Sequence, residues 1–236
     1  MKCYYDFHIH SGLSPCSSDD MSPCNIINMA YIKGLNAIAV SDHNTVGNIA
    51  PALEYAKAVG ITVLPAMEIE SMEEVHILSL FPDYDTALSV EKIVKEHLPP
   101  FENDEDIFGK QLLFDAEGKV IGEENQMLIM AATLSINEVF DLVNTCGGVA
   151  VPAHIDRHSY SVMSNLGFIP EELNIRIVEL SSRVSDSSEY LKNKNLPDFF
   201  VLKNSDAHSL EVISEAENFL ECEADAKSII SYLKSV

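Results

Sequence analysis

Positive charge is scarce in this chain: 15 lysines and arginines stand against 37 aspartates and glutamates, a formal net charge of −22 over 236 residues. So acidic a protein repels polyphosphate backbones at long range. That excludes an electrostatic grip on long nucleic acid and leaves a small or locally captured substrate. Cysteine is sparse too. Cys3, Cys16, Cys24, Cys146 and Cys222 are scattered without C-x-x-C spacing, which excludes a disulfide framework and a zinc knuckle and fits reduced thiols. No apolar run reaches membrane-spanning length, and Met1-Lys2 leads straight into a strand-like segment with no apolar signal sequence. A cytoplasmic protein with no membrane partner is the expectation. Tandem repeats, low-complexity tracts and a convincing Ser-His-Asp or Cys-His nucleophile are likewise missing. What is there, 47% hydrophobic and 22% charged residues, suits a globular chain long enough to bury one full α/β core.

Strand and helix signals alternate along the chain. Cys3 to Ile9 reads as a buried first strand. Ser22-Pro23 then caps a helix that ends at Gly34. Ala37 to Val40 is a short apolar strand, and Ile49 to Val59 a helix stopped by Gly60. Ile61 to Pro65 is a third strand ending at Glu68, and His76 to Leu80 a fourth. A helix from about Thr86 to His97 precedes Pro99-Pro100. Segment 101–130 breaks the rhythm and resembles an inserted hairpin, with turn Asp115-Ala116-Glu117-Gly118, within one domain covering 1–236. Ser135-Ile136-Asn137-Glu138 is a capping box opening a helix to Cys146. Strands follow at Val149–Pro152, Ile175–Leu180 and Phe199–Lys203, with a closing helix near Ala224 to Leu233. This βα repeat predicts a parallel sheet or barrel.

Ligand-type residues recur where these strands end. They are His8-Ile9-His10, Asp42-His43, Glu68 with His76, Ala153-His154 and Asp206-Ala207-His208. Residues two apart on a strand face the same way, so H-x-H can act as a two-toothed chelate. Each item has a plainer reading: Asp42-His43 could cap a helix, Glu68 could be solvated, and His154 could be a satisfied core histidine. Their recurrence on successive elements outweighs those readings. Histidine with carboxylate and little cysteine is the donor set of zinc, manganese or iron in a hydrolytic site.

The order H-x-H, S-D-H-N, Glu with a following His, P-A-H, and S-D-A-H resembles the polymerase and histidinol phosphatase (PHP) superfamily, nearly chain-long from His8 to His208. The stand-alone bacterial phosphoesterases of that group are the nearest in pattern. The resemblance implies an α/β fold, a distorted (β/α)7 barrel with its active site at the C-terminal ends of the strands, and three divalent metal ions. It implies His8, His10, Glu68 and Asp206 around the first ion. Glu68 would bridge to a second held also by His76 and His154. His43, His208 and an acidic residue of the first loop would hold the third. Here the chain departs from the commoner pattern of an aspartate soon after H-x-H: its longer loop offers Asp20, with Asp19 as the neighbouring choice.

Three dications against three carboxylates leave such a site positive, which suits a phosphate dianion despite the acidic surface. Arg157 and Arg183 are candidate phosphate contacts, although Arg157 could instead pair with Asp156. Asp42 is placed behind the ligands and His158 at the mouth. The expected function is hydrolysis of a small phosphorylated substrate, a phosphomonoester or nucleotide-type bisphosphate, by metal-activated hydroxide. The alternatives are an exonuclease on short oligonucleotides and a non-catalytic phospho-ligand sensor. An amidohydrolase-like barrel fits less well, because no lysine follows an apolar strand where a metal-bridging one belongs.

Overall fold

The computed structural model describes residues 1–236. Its elements in chain order are β1 (Cys3–Ile9), α1 (Pro23–Ile32), β2 (Ala37–Val40), α2 (Ile49–Val59), β3 (Thr62–Glu70) and β4 (His76–Leu80). Next come α3 (Tyr84–His97), α4 (Glu105–Phe108), β5 (Leu112–Phe114), β6 (Val120–Glu123), α5 (Ile136–Thr145), β7 (Val149–Pro152) and α6 (Val162–Asn165). The chain closes with β8 (Ile177–Ser181), α7 (Ser187–Asn193), β9 (Phe200–Asn204), β10 (Phe219–Leu220) and α8 (Ala226–Ser235). The helix ends follow local chemistry. Ser22 accepts the Asn25 N–H ahead of Pro23, and Gly60 closes α2 in the left-handed conformation. Ser135 and Glu138 cap one another's backbone at the start of α5. No helix is long and apolar enough to cross a membrane.

Six strands form one curled half-barrel sheet in the order β10-β1-β2-β3-β4-β7. The strands β1, β2 and β3 are parallel, whereas β4 runs antiparallel to both β3 and β7. The uninterrupted parallel βα repeat implied by the sequence is therefore corrected. Only residues 71–75 separate β3 from β4, too few for a crossover helix, so the chain turns back as a hairpin. The parallel pair β8-β9 stands beside this sheet, tied to it by Ile155 N–H on the Glu179 carbonyl and by the Ile9–Ala207 bridge.

Inward-facing rows explain how the fold builds a polar end on an apolar barrel. Leu64 and Ala66 on β3, Leu78 and Leu80 on β4, and Val149 and Val151 on β7 share one buried cluster with Phe7 and Ala39. Each row then ends in a ligand-type residue: Glu68 follows Ala66, His76 precedes Leu78, and His154 follows Ala153. Strand β1 needs a further device, since plain alternation would put His8 opposite Phe7. The β1–β2 register slips between Asp6 and Ile9, so three steps along β1 match two along β2. This bulge turns Ile9 into the outer cluster with Ile38 and Val40 and lets His8 and His10 face inward.

Candidate metal centre

The histidine and carboxylate side chains converge at one end of the half-barrel. Glu68, 1% exposed, lies at the middle. Its Oε1 is 3.0 Å from His76 Nδ1, 3.2 Å from His8 Nε2 and 3.2 Å from His154 Nε2. Its Oε2 is 3.2 Å from His43 Nδ1 and 3.4 Å from His10 Nε2. Asp206 Oδ1 lies 3.2 Å from His10 Nε2 and 3.7 Å from His208 Nδ1. Eight of the nine sequence-derived ligand candidates thus meet. Glu68 sits inside β3, not past its end, and His76 opens β4; the reversal of that strand brings its amino end to the site.

Hydrogen bonds behind the cluster settle where the imidazole protons lie. Glu179 Oε1 and Oε2 are both 3.0 Å from His8 Nδ1, so that nitrogen donates. Ser14 Oγ donates to Asp42 Oδ1 at 2.7 Å and therefore accepts from His10 Nδ1 at 2.9 Å. The two Nε2 atoms are left facing each other, 3.2 Å apart, with Glu68 Oε1 3.2 Å from that of His8. That geometry calls for positive charge, which a proton on His8 or a bound cation supplies. Further groups point the same way: Nδ1 of His43, Nδ1 of His154 and Oδ1 of Asp206 are buried without a hydrogen-bond partner. The nitrogens of His10, His43 and His208 approach within 4.8 Å of one another, as do the ligand atoms of His8, His10 and Glu68 and those of His43, Glu68 and His76. The residues fit divalent metal ions with open positions left over.

Charge in the cluster is sharply divided. Burial opposes a proton on His8, yet Glu179, Glu68 and Asp206 outweigh it and hold His8 well above the usual imidazole range. Burial likewise opposes a proton on His76, but the Glu68 carboxylate raises it to about 9. Burial and His10 act together on the other side, driving His43 well down and His208 to about 4. Against burial, His76 and His8 hold Glu68 far below the usual carboxylate range, and His8 does the same for Asp206. Backbone strain accompanies this crowding. His154 (φ 29°) and Asp206 (φ 51°) both occupy the left-handed region, at a cost of roughly 1–3 kcal/mol each.

Other candidates separate. Asp42 is buried behind the site, bound to Ser11 and Ser14. Arg157 lines the cleft but pairs through Nη2 with Asp206 Oδ2 at 2.7 Å, not with Asp156, which is taken by Ser181. Asp19 and Asp20 are exposed and stand apart from the cluster, which corrects the placement of Asp20. The loop is held to the site at Ser18, whose N–H bonds the His208 carbonyl, and then turns away, with Asp20 accepting from Asn25. Arg183 and His158 are exposed and outside the cleft. Arg183 follows the end of β8, where its N–H bonds Ser181.

Sequence reasoning passed over several contributors. Glu179 accepts from His8, from the His154 N–H at 2.8 Å and from Asn204 Nδ2 at 2.6 Å. Cys16 places its sulfur 3.5 Å from His43 Nε2. Tyr160 stacks on His76 with ring centroids 4.8 Å apart and remains half exposed at the mouth. The only sign of Glu179 in the sequence is a charge within an apolar strand. The cleft above the cluster is small, about 70 Å3, and a larger one of about 920 Å3 around Phe168 and Phe199 lies away from every ligand candidate.

No family profile matches the chain. It is 26% identical over 194 residues to a 5'-3' exoribonuclease of Haemophilus influenzae, covering 66% of this chain and 70% of that protein. Among solved structures, the lesion-specific endonuclease PfuEndoQ of Pyrococcus furiosus superposes with a TM-score of 0.74 at 22% identity. That match takes in 100% of this chain but only 56% of the endonuclease, so the chain spans about half its length. An endonuclease Q complex holds a 27-mer duplex with an abasic lesion at its active site, so the fold accommodates long nucleic acid in that protein. A Bifidobacterium adolescentis protein designated a metal-dependent phosphoesterase superposes with a TM-score of 0.61 at 18% identity, covering 98% of this chain and 95% of its own. The architecture shared with these proteins is the PHP fold, the one that the order of histidine and carboxylate motifs along the chain implied.

Proposed function

We propose that this chain is a metal-dependent phosphoric ester hydrolase acting on a small phosphorylated substrate, a phosphomonoester or a nucleotide-type bisphosphate. The observation that carries the reading is the convergence of six imidazoles on the buried carboxylates of Glu68 and Asp206. His8, His10, Glu68 and Asp206 would hold one ion. Glu68, His76 and His154 would hold a second, and His43 with His208 a third. Bound divalent ions would supply an activated water and draw charge off the phosphoryl oxygens, and zinc, manganese and iron all accept this donor set. The chain's own part is placement. Glu179 and Ser14 fix the proton positions on His8 and His10, and the narrow cleft has room for a phosphoryl group while the rest of the substrate stays outside. Arg157 stands at its edge, where N–H groups not engaged by Asp206 can grip a phosphate oxygen.

The test is phosphate release from sugar phosphates, amino-alcohol phosphates and nucleotide bisphosphates with added manganese, beside His8→Ala and His208→Ala. Turnover lost in both variants is expected. Turnover and metal content unchanged in both would sink the proposal.

A second reading, cleavage at the end of a short oligonucleotide, draws support from the exoribonuclease relative and the endonuclease fold. Release of mononucleotides from 5'-phosphorylated di- to tetranucleotides, without release from the small esters, would favour it.

A further inference from the structure

Given the metal-centre reading above, we infer that Cys16 is a ligand, so that the third metal position is bound by a thiolate where a carboxylate was expected. The loop after β1 holds two acids, Asp19 and Asp20, yet what it delivers to the cluster is sulfur. Cys16 Sγ lies 3.5 Å from His43 Nε2, and His43 is 6% exposed with its other ring nitrogen lacking any hydrogen-bond partner. His10 and His208 bring their ligand nitrogens within 4.8 Å of that of His43. The sulfur therefore stands beside His43, in a cluster that also holds His208 and an Asp206 oxygen without a partner.

The position is built, not incidental. Ser14, two residues before Cys16, bonds His10 and Asp42; Ser18, two residues after it, donates its N–H to the His208 carbonyl. The turn carrying Cys16 is thus anchored on the His10 imidazole and on the backbone of His208. From outside, Gly109 packs so tightly on Pro15 that a Cβ there would lie 2.1 Å from the Pro15 carbonyl oxygen. On binding, the thiol releases its proton to solvent and the sulfur lone pair goes to the ion. A thiolate favours zinc, cobalt or iron over manganese or magnesium at this position alone.

Cobalt(II) titration of the metal-free protein tests this, read by the near-ultraviolet sulfur-to-cobalt charge-transfer band and by cobalt bound per chain. The wild type is expected to develop the band, and Cys24→Ser to keep it. Cys16→Ser should lose the band and bind one cobalt fewer. Cys16→Asp should regain the cobalt without the band. Because Cys16 is exposed on its outer side, these changes leave the core intact. Full cobalt loading of the wild type with no charge-transfer band would overturn the assignment and leave the metal centre standing. Failure to bind cobalt at all would overturn both.

Discussion

Glu179 shows what a single buried carboxylate does for the site. Its partners, His8 Nδ1, His154 N–H and Asn204 Nδ2, are all donors. An amide in its place must turn its NH2 toward one of them, so Glu179→Gln is expected to weaken metal binding about 10–100-fold in an isothermal titration, with the fold retained. Protonation gives a second prediction. His76 rises to about 9 in the folded metal-free protein against about 6.5 unfolded. Its contribution to stability is full below about 6.5 and lost as pH climbs through about 9. His208, lowered to about 4, acts oppositely: the unfolded chain takes that proton first, so stability falls as pH drops from about 6.5 toward 4. Melting of metal-free protein should therefore weaken on both flanks, and metal affinity should rise with pH up to about 9 as His76 gives up its proton. The ligand candidates were readable because each lies in or beside an apolar strand. Glu179 was not, since its donors come from positions 8, 154 and 204, and no local spacing records that.

At the scale of elements, helix boundaries were legible because caps are local. Ser22-Pro23, Gly60 and the Ser135–Glu138 box stand where the sequence puts them. Strand direction was not, because the apolar pattern of β4 reads the same both ways and only the short turn before it betrays the reversal. The course of the first loop also escaped, as it depends on contacts with distant segments. Residues 105–123 pack across it: Leu112 N–H bonds the Gly12 carbonyl, and Asn48 bonds both Leu112 and Phe114. Gly109 (φ 98°) is the tightest of these contacts. Gly109→Ala meets both a forbidden backbone conformation and the Pro15 carbonyl. It should lower the melting temperature and, by moving the loop, reduce metal content, both measurable by calorimetry and elemental analysis. Gly148→Ala provides a control remote from the site. Its added Cβ would lie 2.8 Å from the Leu80 carbonyl, so a loss of about 1–3 kcal/mol is expected in urea unfolding with metal content unchanged.

For the whole molecule, charge and metal act against each other. Buried carboxylates and imidazoles face one another at the cluster, and any ion that binds only the folded form stabilises it. Saturating zinc at 100 times its dissociation constant should add about 2.7 kcal/mol, seen as a higher melting temperature that chelator reverses. The net charge of −22 adds a salt prediction. An oligonucleotide substrate approaching this surface should gain from screening, so its KM should fall or stay level as salt rises, opposite to a protein that holds the backbone with basic residues. A KM that climbs steeply with salt would mean a basic surface contributed from elsewhere.

The hairpin joining β3 to β4 carries one more implication. Glu68 and His76 belong to a single antiparallel pair, in which Glu70 stands opposite His76 and Glu68 opposite Leu78. One residue added to or removed from turn 71–75 would slip that register and send His76 to the opposite face. Surface turns ordinarily tolerate drift in length through evolution. On the proposed metal centre this one is held to its span by coordination chemistry, so insertions among relatives that keep His76 should be found in the segment before α5 and not here.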